Sequence, residues 1–145
     1  MKIYKSHIDQ KIKAMRGRSL IFGPQENIDG TFPSTVTSIT EWHDQEDIQG
    51  IFDTILSIEN LSSRENIYEL LQLLLSYTHE DTRLLFCEQT ATPDIRSNRR
   101  RHDITGVLWD SGWSVIDCGR DAIGKGKRAS NYVYGIARPK RFPNQ

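Results

Sequence analysis

The chain reads as an α/β domain built on a mostly parallel sheet with a final antiparallel strand, and three observations lead there. From Phe52 onward, apolar runs of strand length alternate with segments of helical periodicity. That alternation implies parallel strands joined by right-handed crossovers. Phe52–Ile58 reads as a strand of the buried type, with Phe52, Ile55, Leu56 and Ile58 as its apolar residues. The last two strands follow one another with no helix between them, so they are expected to pair antiparallel.

Residues 2–18 are basic and amphipathic, with Ile8, Ile12 and Met15 at helical spacing, and Gly17 ends that helix. Ser19–Phe22 is a short buried strand closed by Gly23-Pro24. Residues 23–34 hold Gly23, Pro24, Asn27, Asp29, Gly30, Pro33 and Ser34, a loop by composition. Thr35–Thr40 sets β-branched residues around Ser38 and forms the second strand. Phe52–Ile58 is the third. Ser62-Ser63-Arg64-Glu65 then has the form of a capping box, in which hydroxyl and carboxylate satisfy the free amides of a first helical turn. Ile67, Leu70, Leu71 and Leu74 follow on one helical face.

Arg83–Glu88 is the next strand, and the loop 89–101 after it contains Pro93 and four arginines. Asp103 is placed to cap a helix bearing Ile104, Val107 and Leu108, with Gly112 at its C′ position. Trp113–Cys118 is a strand, Gly119–Ser130 a Gly/Lys/Arg loop, and Asn131–Ala137 the closing strand.

A length of 145 residues fits one domain, 1–145. Hydrophobic residues at 37% supply one core, and 26% charged residues lie near the globular average, so disorder is not the default reading. The longest apolar run, Leu70 to Leu75 interrupted by Gln72, is too short to span a bilayer. The segment Met1-Lys2-Ile3-Tyr4-Lys5 lacks the apolar stretch of a secretory signal, and a cytoplasmic protein without membrane partners is expected. Cys87 and Cys118 each sit in an apolar segment and offer neither a disulfide framework nor paired metal spacing. Zero net charge conceals a polarity. Residues 1–90 carry 8 Lys/Arg against 14 Asp/Glu, and residues 91–145 carry 11 against 5. A basic face for phosphate, nucleic acid or an acidic partner is one reading, and mutual neutralisation of the two halves is the other.

Several phrases resemble class I S-adenosylmethionine-dependent methyltransferases in wording and order. Phe52-Asp53-Thr54-Ile55-Leu56-Ser57-Ile58 is similar to that family's fourth strand, and Arg83-Leu84-Leu85-Phe86-Cys87-Glu88 to the passage around its fifth. His102–Trp109 with Gly112-Trp113-Ser114-Val115 resembles the helix and strand that come next. Tyr132–Arg138 resembles the closing strand, which the family inserts beside the penultimate one. The likeness covers residues 44–138 and implies a reduced Rossmann-like methyltransferase fold, with residues 1–43 as a degenerate or truncated amino-terminal part. After Leu20-Ile21-Phe22 the family has a glycine-rich turn, whereas this chain has Gly23-Pro24-Gln25-Glu26-Asn27-Ile28-Asp29-Gly30. Pro24 removes an amide donor there.

Ligands of open α/β sheets bind outside the carboxyl ends of the strands, which nominates residues 23–26, 57–60 and 88–90. The resemblance implies S-adenosylmethionine as cofactor, with Gly23, Gln25, Ile58, Glu59 and Asn60 around it and Glu41 as the acidic residue for the ribose hydroxyls. Glu88, after a strongly apolar strand, reads either as a buried carboxylate suited to base chemistry or as an exposed strand end. With Arg99, Arg100, Lys125 and Lys127 it is a candidate contact for substrate or phosphate. Arg96, Arg101 and Arg128 extend the same two basic loops. His43, His79 and His102 lack metal-ligand or triad spacing, so no metal site is assigned. Trp42, Trp109 and Trp113 are expected in the core. Two functions compete: a methyltransferase, active alone or as an oligomer, and a non-catalytic module of the same fold, either paired through an exposed sheet edge or contacting nucleic acid through the basic loops.

Overall fold

A computed structural model describes residues 2–22, 32–42, 48–61, 64–90, 103–123 and 130–140. Its elements are α1 (Lys2–Lys13), β1 (Gly17–Phe22), β2 (Val36–Glu41), β3 (Phe52–Ile58), α2 (Ile67–Leu74), β4 (Thr78–Thr90), α3 (Ile104–Asp110), β5 (Trp113–Ile123) and β6 (Ser130–Pro139). A short 3₁₀ turn, Leu75–Tyr77, joins α2 to β4.

The six strands form one sheet in the order β2-β1-β3-β4-β6-β5. β1, β2, β3 and β4 run parallel, while β6 is antiparallel to both β4 and β5. β5 therefore runs with β4, and the carboxyl ends of β1 to β5 lie along one edge. The antiparallel strand sits between the last two parallel ones, as the resemblance of the closing strand implies.

Two cores hold the sheet. On one face Leu20, Phe22, Ile55, Leu84, Phe86 and Val133 meet Ile67, Leu70, Leu71 and Leu74 of α2 and Ile104, Val107 and Leu108 of α3. Trp113, the largest fully buried side chain, lies among them and donates its indole N–H to the Leu71 carbonyl at 3.0 Å. On the opposite face Ile21, Leu56, Ile58, Leu85, Cys87 and Tyr132 are covered by Ile8 and Ile12 of α1 and by Met15. Strand residues alternate between the cores because a strand has a side-chain period of two. β1, β3 and β4 are apolar at both parities because both faces are covered.

Several boundaries differ from the sequence reading. β4 starts five residues earlier and β5 ends five residues later, at Thr78 and Ile123, because backbone pairing with β3 and β6 carries polar residues into the ladder. The stretch 119–123 is strand, not loop. α2 begins at Ile67 with Asn66 in the N-cap position, and no side chain caps it. Ser62 and Ser63 of the expected capping box lie outside the described residues. Asp103 does occupy the N-cap of α3, but its carboxylate accepts the Thr105 hydroxyl at 3.1 Å and not a helix amide. Gly112 ends α3 as expected, with a φ of 100° that side chains rarely adopt. Cys118 is exposed, contrary to its apolar neighbourhood in the sequence, because it follows the irregularity between Val115 and Asp117 on an edge strand. Trp109 is exposed too, beneath the Lys140 ammonium, and Trp42 is half-buried against Phe22.

Candidate functional site at the carboxyl edge

Glu59 follows directly on the last residue of β3, and its amide still donates to the Cys87 carbonyl at 2.9 Å. It is exposed and has a φ of 52°, the only positive φ among the described non-glycine residues. A left-handed conformation costs an L-residue on the order of 1–2 kcal/mol, so it persists where neighbours impose it. Here the neighbours are explicit. The fully buried Glu88 accepts the Ser57 hydroxyl at 2.8 Å, the Asn60 amide at 3.2 Å and the Leu61 amide at 2.8 Å. Arg64 closes the turn from the other side, donating to the Asn60 carbonyl at 2.7 Å and to Asn60 Oδ1 at 3.3 Å.

These contacts sort the residues that the sequence nominated. Glu88 is not an exposed strand end; its carboxylate points into the α2 side and ties the end of β3 to β4. Ile58 is buried beneath α1, so any ligand contact it makes runs through its main chain. Asn60 uses its N–H, C=O and Oδ1 within the turn. Glu41 is the exposed last residue of β2 and pairs with Ile21, while the next amide, of Trp42, donates to the Ile21 carbonyl at 2.9 Å. β1 separates β2 from β3, so Glu41 and Glu59 are about two strand spacings, ~9.6 Å, apart across the sheet, and Glu59 lies three residues further toward the carboxyl edge, because Ile21 is level with both Glu41 and Leu56. Gly23, Gln25, Arg99, Arg100, Lys125 and Lys127 lie outside the described residues, as do His43 and His102. The segments that carry those basic residues leave the sheet at Thr90 and Ile123, both at the carboxyl edge.

A second polar cluster escaped the sequence reading. His7 of α1 places Nε2 2.7 Å from Asp121 Oδ2 and stacks on Tyr134, with ring centroids 3.4 Å apart. Lys11 lies 5.8 Å from the same ring. Burial, then the charge and hydrogen bond of Asp121, push the Tyr134 phenol above its ordinary value. Gly119 is required opposite Tyr134, where an added Cβ would come within 2.4 Å of the ring. The helical spacing of His7 and Lys11 and the period-two Tyr132 and Tyr134 are visible in the chain. Nothing in the chain, however, connects position 7 with position 121.

At the amino edge His79 pairs with Asp53 at 2.7 Å, and Asp53 also accepts the Arg18 amide at 2.9 Å. His79 Nδ1 accepts the Asp81 amide, so the proton lies on Nε2, facing Asp53. This pair is at the far end of the sheet from Glu59. Among the described residues no cluster of His, Cys, Asp and Glu suits a metal ion, and no helix is long and apolar enough to cross a membrane.

No family model and no curated protein matches the sequence. Solved structures do match the fold. The N-methyltransferase NodS from Bradyrhizobium japonicum WM9, in complex with S-adenosyl-L-homocysteine, is similar with a TM-score of 0.64 and 11% identity, over 96% of this chain and 87% of that one. BH2331 from Bacillus halodurans C-125, provisionally described as a methyltransferase, gives 0.57 and 7%, over 97% of this chain and 100% of that one. The mitomycin 7-O-methyltransferase MmcR gives 0.57 and 12% over 94% of this chain. The chain spans 53% of that protein's length. At these identities the likeness is one of fold. The chain has the Rossmann-like fold of class I S-adenosylmethionine-dependent methyltransferases, with one antiparallel strand between the last two parallel strands.

Proposed function

We propose that the chain binds S-adenosylmethionine at the carboxyl edge of its sheet, across β1 between Glu41 and Glu59, and acts as a methyltransferase. The observation that carries this reading is the strained, exposed Glu59 held at the end of the strand next to β1 in a methyltransferase fold. Residues 1–43 then form a reduced amino-terminal part that still supplies β1, β2 and a covering helix.

The described residues fit the cofactor's chemistry. Glu41 offers carboxylate acceptors suited to a pair of ribose hydroxyls, and Glu59 offers a second acceptor toward a cationic group. When bound, S-adenosylmethionine would supply an electrophilic methyl on a sulfonium. The chain's task is then to bind, to orient the acceptor and to exclude water, since positioning provides most of the acceleration in such transfers. Arg99, Arg100, Lys125 and Lys127 belong to segments anchored at this edge, which favours an anionic acceptor, with a nucleic acid among the candidates. The acceptor itself is unassigned. β2 is an edge strand of Val, Thr, Ser, Ile and Thr ending in Glu41, and pairing of two copies along it is part of the same proposal.

Calorimetric titration with S-adenosylmethionine and S-adenosylhomocysteine tests the reading. Micromolar binding is expected, weakened about ten-fold or more in Glu41→Ala and in Glu59→Gly. The glycine permits the left-handed backbone while removing the carboxylate. A folded wild-type protein that gives no heat at millimolar ligand would refute it.

A further inference from the structure

We infer that Glu88 is a positioning residue for the cofactor site, an inference that rests on the reading above: it touches no ligand, and it sets the turn that presents Glu59. The carboxylate lies on the buried face of β4, one residue beyond Cys87, whose carbonyl receives the Glu59 amide. Its two oxygens receive three donors from a stretch of five residues, Ser57 to Leu61. Two of those donors are backbone amides that point inward only because the chain reverses at Glu59.

The geometry makes the dependence directional. β3 ends at Ile58, and an extended continuation would carry the Asn60 and Leu61 amides away from β4. Turning both toward one carboxylate requires a residue with positive φ at the corner, and Glu59 supplies it at 52°. A glycine would meet the backbone requirement at lower cost. The chain instead spends conformational strain on a side chain that is exposed at the ligand edge. Arg64 donates to the Asn60 carbonyl and to Asn60 Oδ1, so Glu88 and Arg64 grip the turn on either side of Asn60. Ser57 contributes the third donor from a fully buried position in β3, where an unpaired hydroxyl would be costly.

A purely structural bracket would stiffen the fold without affecting ligand affinity, so the two roles separate experimentally. Titrations with S-adenosylhomocysteine compare wild type, Glu88→Gln, Glu59→Gly and the double variant. Asp53→Asn, which weakens a comparable bracket at the opposite edge of the sheet, serves as the stability control. Amide exchange at Asn60 and Leu61 is followed in the free proteins. Glu88→Gln is expected to lose that protection and to bind about ten-fold more weakly, while Asp53→Asn keeps wild-type affinity at a similar loss of Tm. In the Glu59→Gly background, Glu88→Gln is expected to add little, because residues acting through one another are non-additive. If Glu88→Gln does not fold, Ser57→Ala removes one donor of the three, and a smaller loss of affinity is expected. Equal affinity in wild type and in the Glu88 or Ser57 variant would overturn the inference while leaving the cofactor reading standing, as would full additivity with Glu59→Gly. A wild-type protein that takes no ligand would overturn both, with the exchange data still reporting the bracket.

Discussion

The polar residues of this chain divide into those that tie strand ends together and those at the carboxyl edge, and their charges respond differently to the solvent. Asp53 is held below its ordinary value of 3.8, first by the His79 hydrogen bond and then by the Arg18 amide. A lowered folded value means that Asp53 stabilises the fold above its unfolded pKa, and that this contribution disappears as pH falls through the folded value. The Tm of wild type is therefore expected to exceed that of Asp53→Asn at neutral pH, with the gap closing progressively as the solution is taken below pH 3.8. A gap that is constant across that range would contradict the assignment. The two thiols differ in the same way. Burial pushes Cys87 up to about 12, whereas Cys118 is exposed on β5 and only raised by partial burial. A thiol reagent should modify Cys118 alone in the folded protein and both after denaturation. Modification of Cys87 at the same rate would show that the core beneath α1 opens readily.

Among the elements, α1 depends most on tertiary contact. A 12-residue helix is marginal alone in water, so its order comes from Ile8, Ile12 and the following Met15 on the sheet and from His7 on Asp121 and Tyr134. Asp121→Asn leaves the apolar seam intact and removes the charged partner. Exchange of α1 amides is expected to accelerate by about ten-fold, as a hydrogen bond to a charged group is worth roughly 1.5–3 kcal/mol. Unchanged exchange would assign the docking to the apolar seam alone. The seam itself was legible, because Ile8, Ile12 and Met15 repeat at helical spacing. Strand centres were legible from their apolar residues: Phe52–Ile58 coincides with β3. Strand ends were not. Thr78 to Thr82 and Gly119 to Ala122 are polar or small, and their place in the sheet depends on ladder partners distant in sequence. Ser57 did carry a signal, a hydroxyl inside a buried strand that requires a partner. The identity of that partner, 31 positions away, follows only from the register of β3 on β4.

Across the whole molecule, a six-stranded sheet covered by α1 on one face and by α2 and α3 on the other leaves a carboxyl edge where β2 ends in Glu41, Glu59 follows β3, and β4 and β5 end at Thr90 and Ile123. The order of elements foretold that edge. It could not foretell that Glu88 would turn inward, since burial of a carboxylate depends on which amides the fold brings to it. The most direct test of the central claim is a titration of isotopically labelled protein with S-adenosylhomocysteine, followed amide by amide. Shifts are expected at Phe22, Glu41, Trp42, Glu59 and Asn60, with the amino-edge amides of Arg18, Asp53 and His79 unmoved. Shifts confined to the amino edge, or none from a folded protein at saturating ligand, would contradict a cofactor site at the carboxyl ends of these strands.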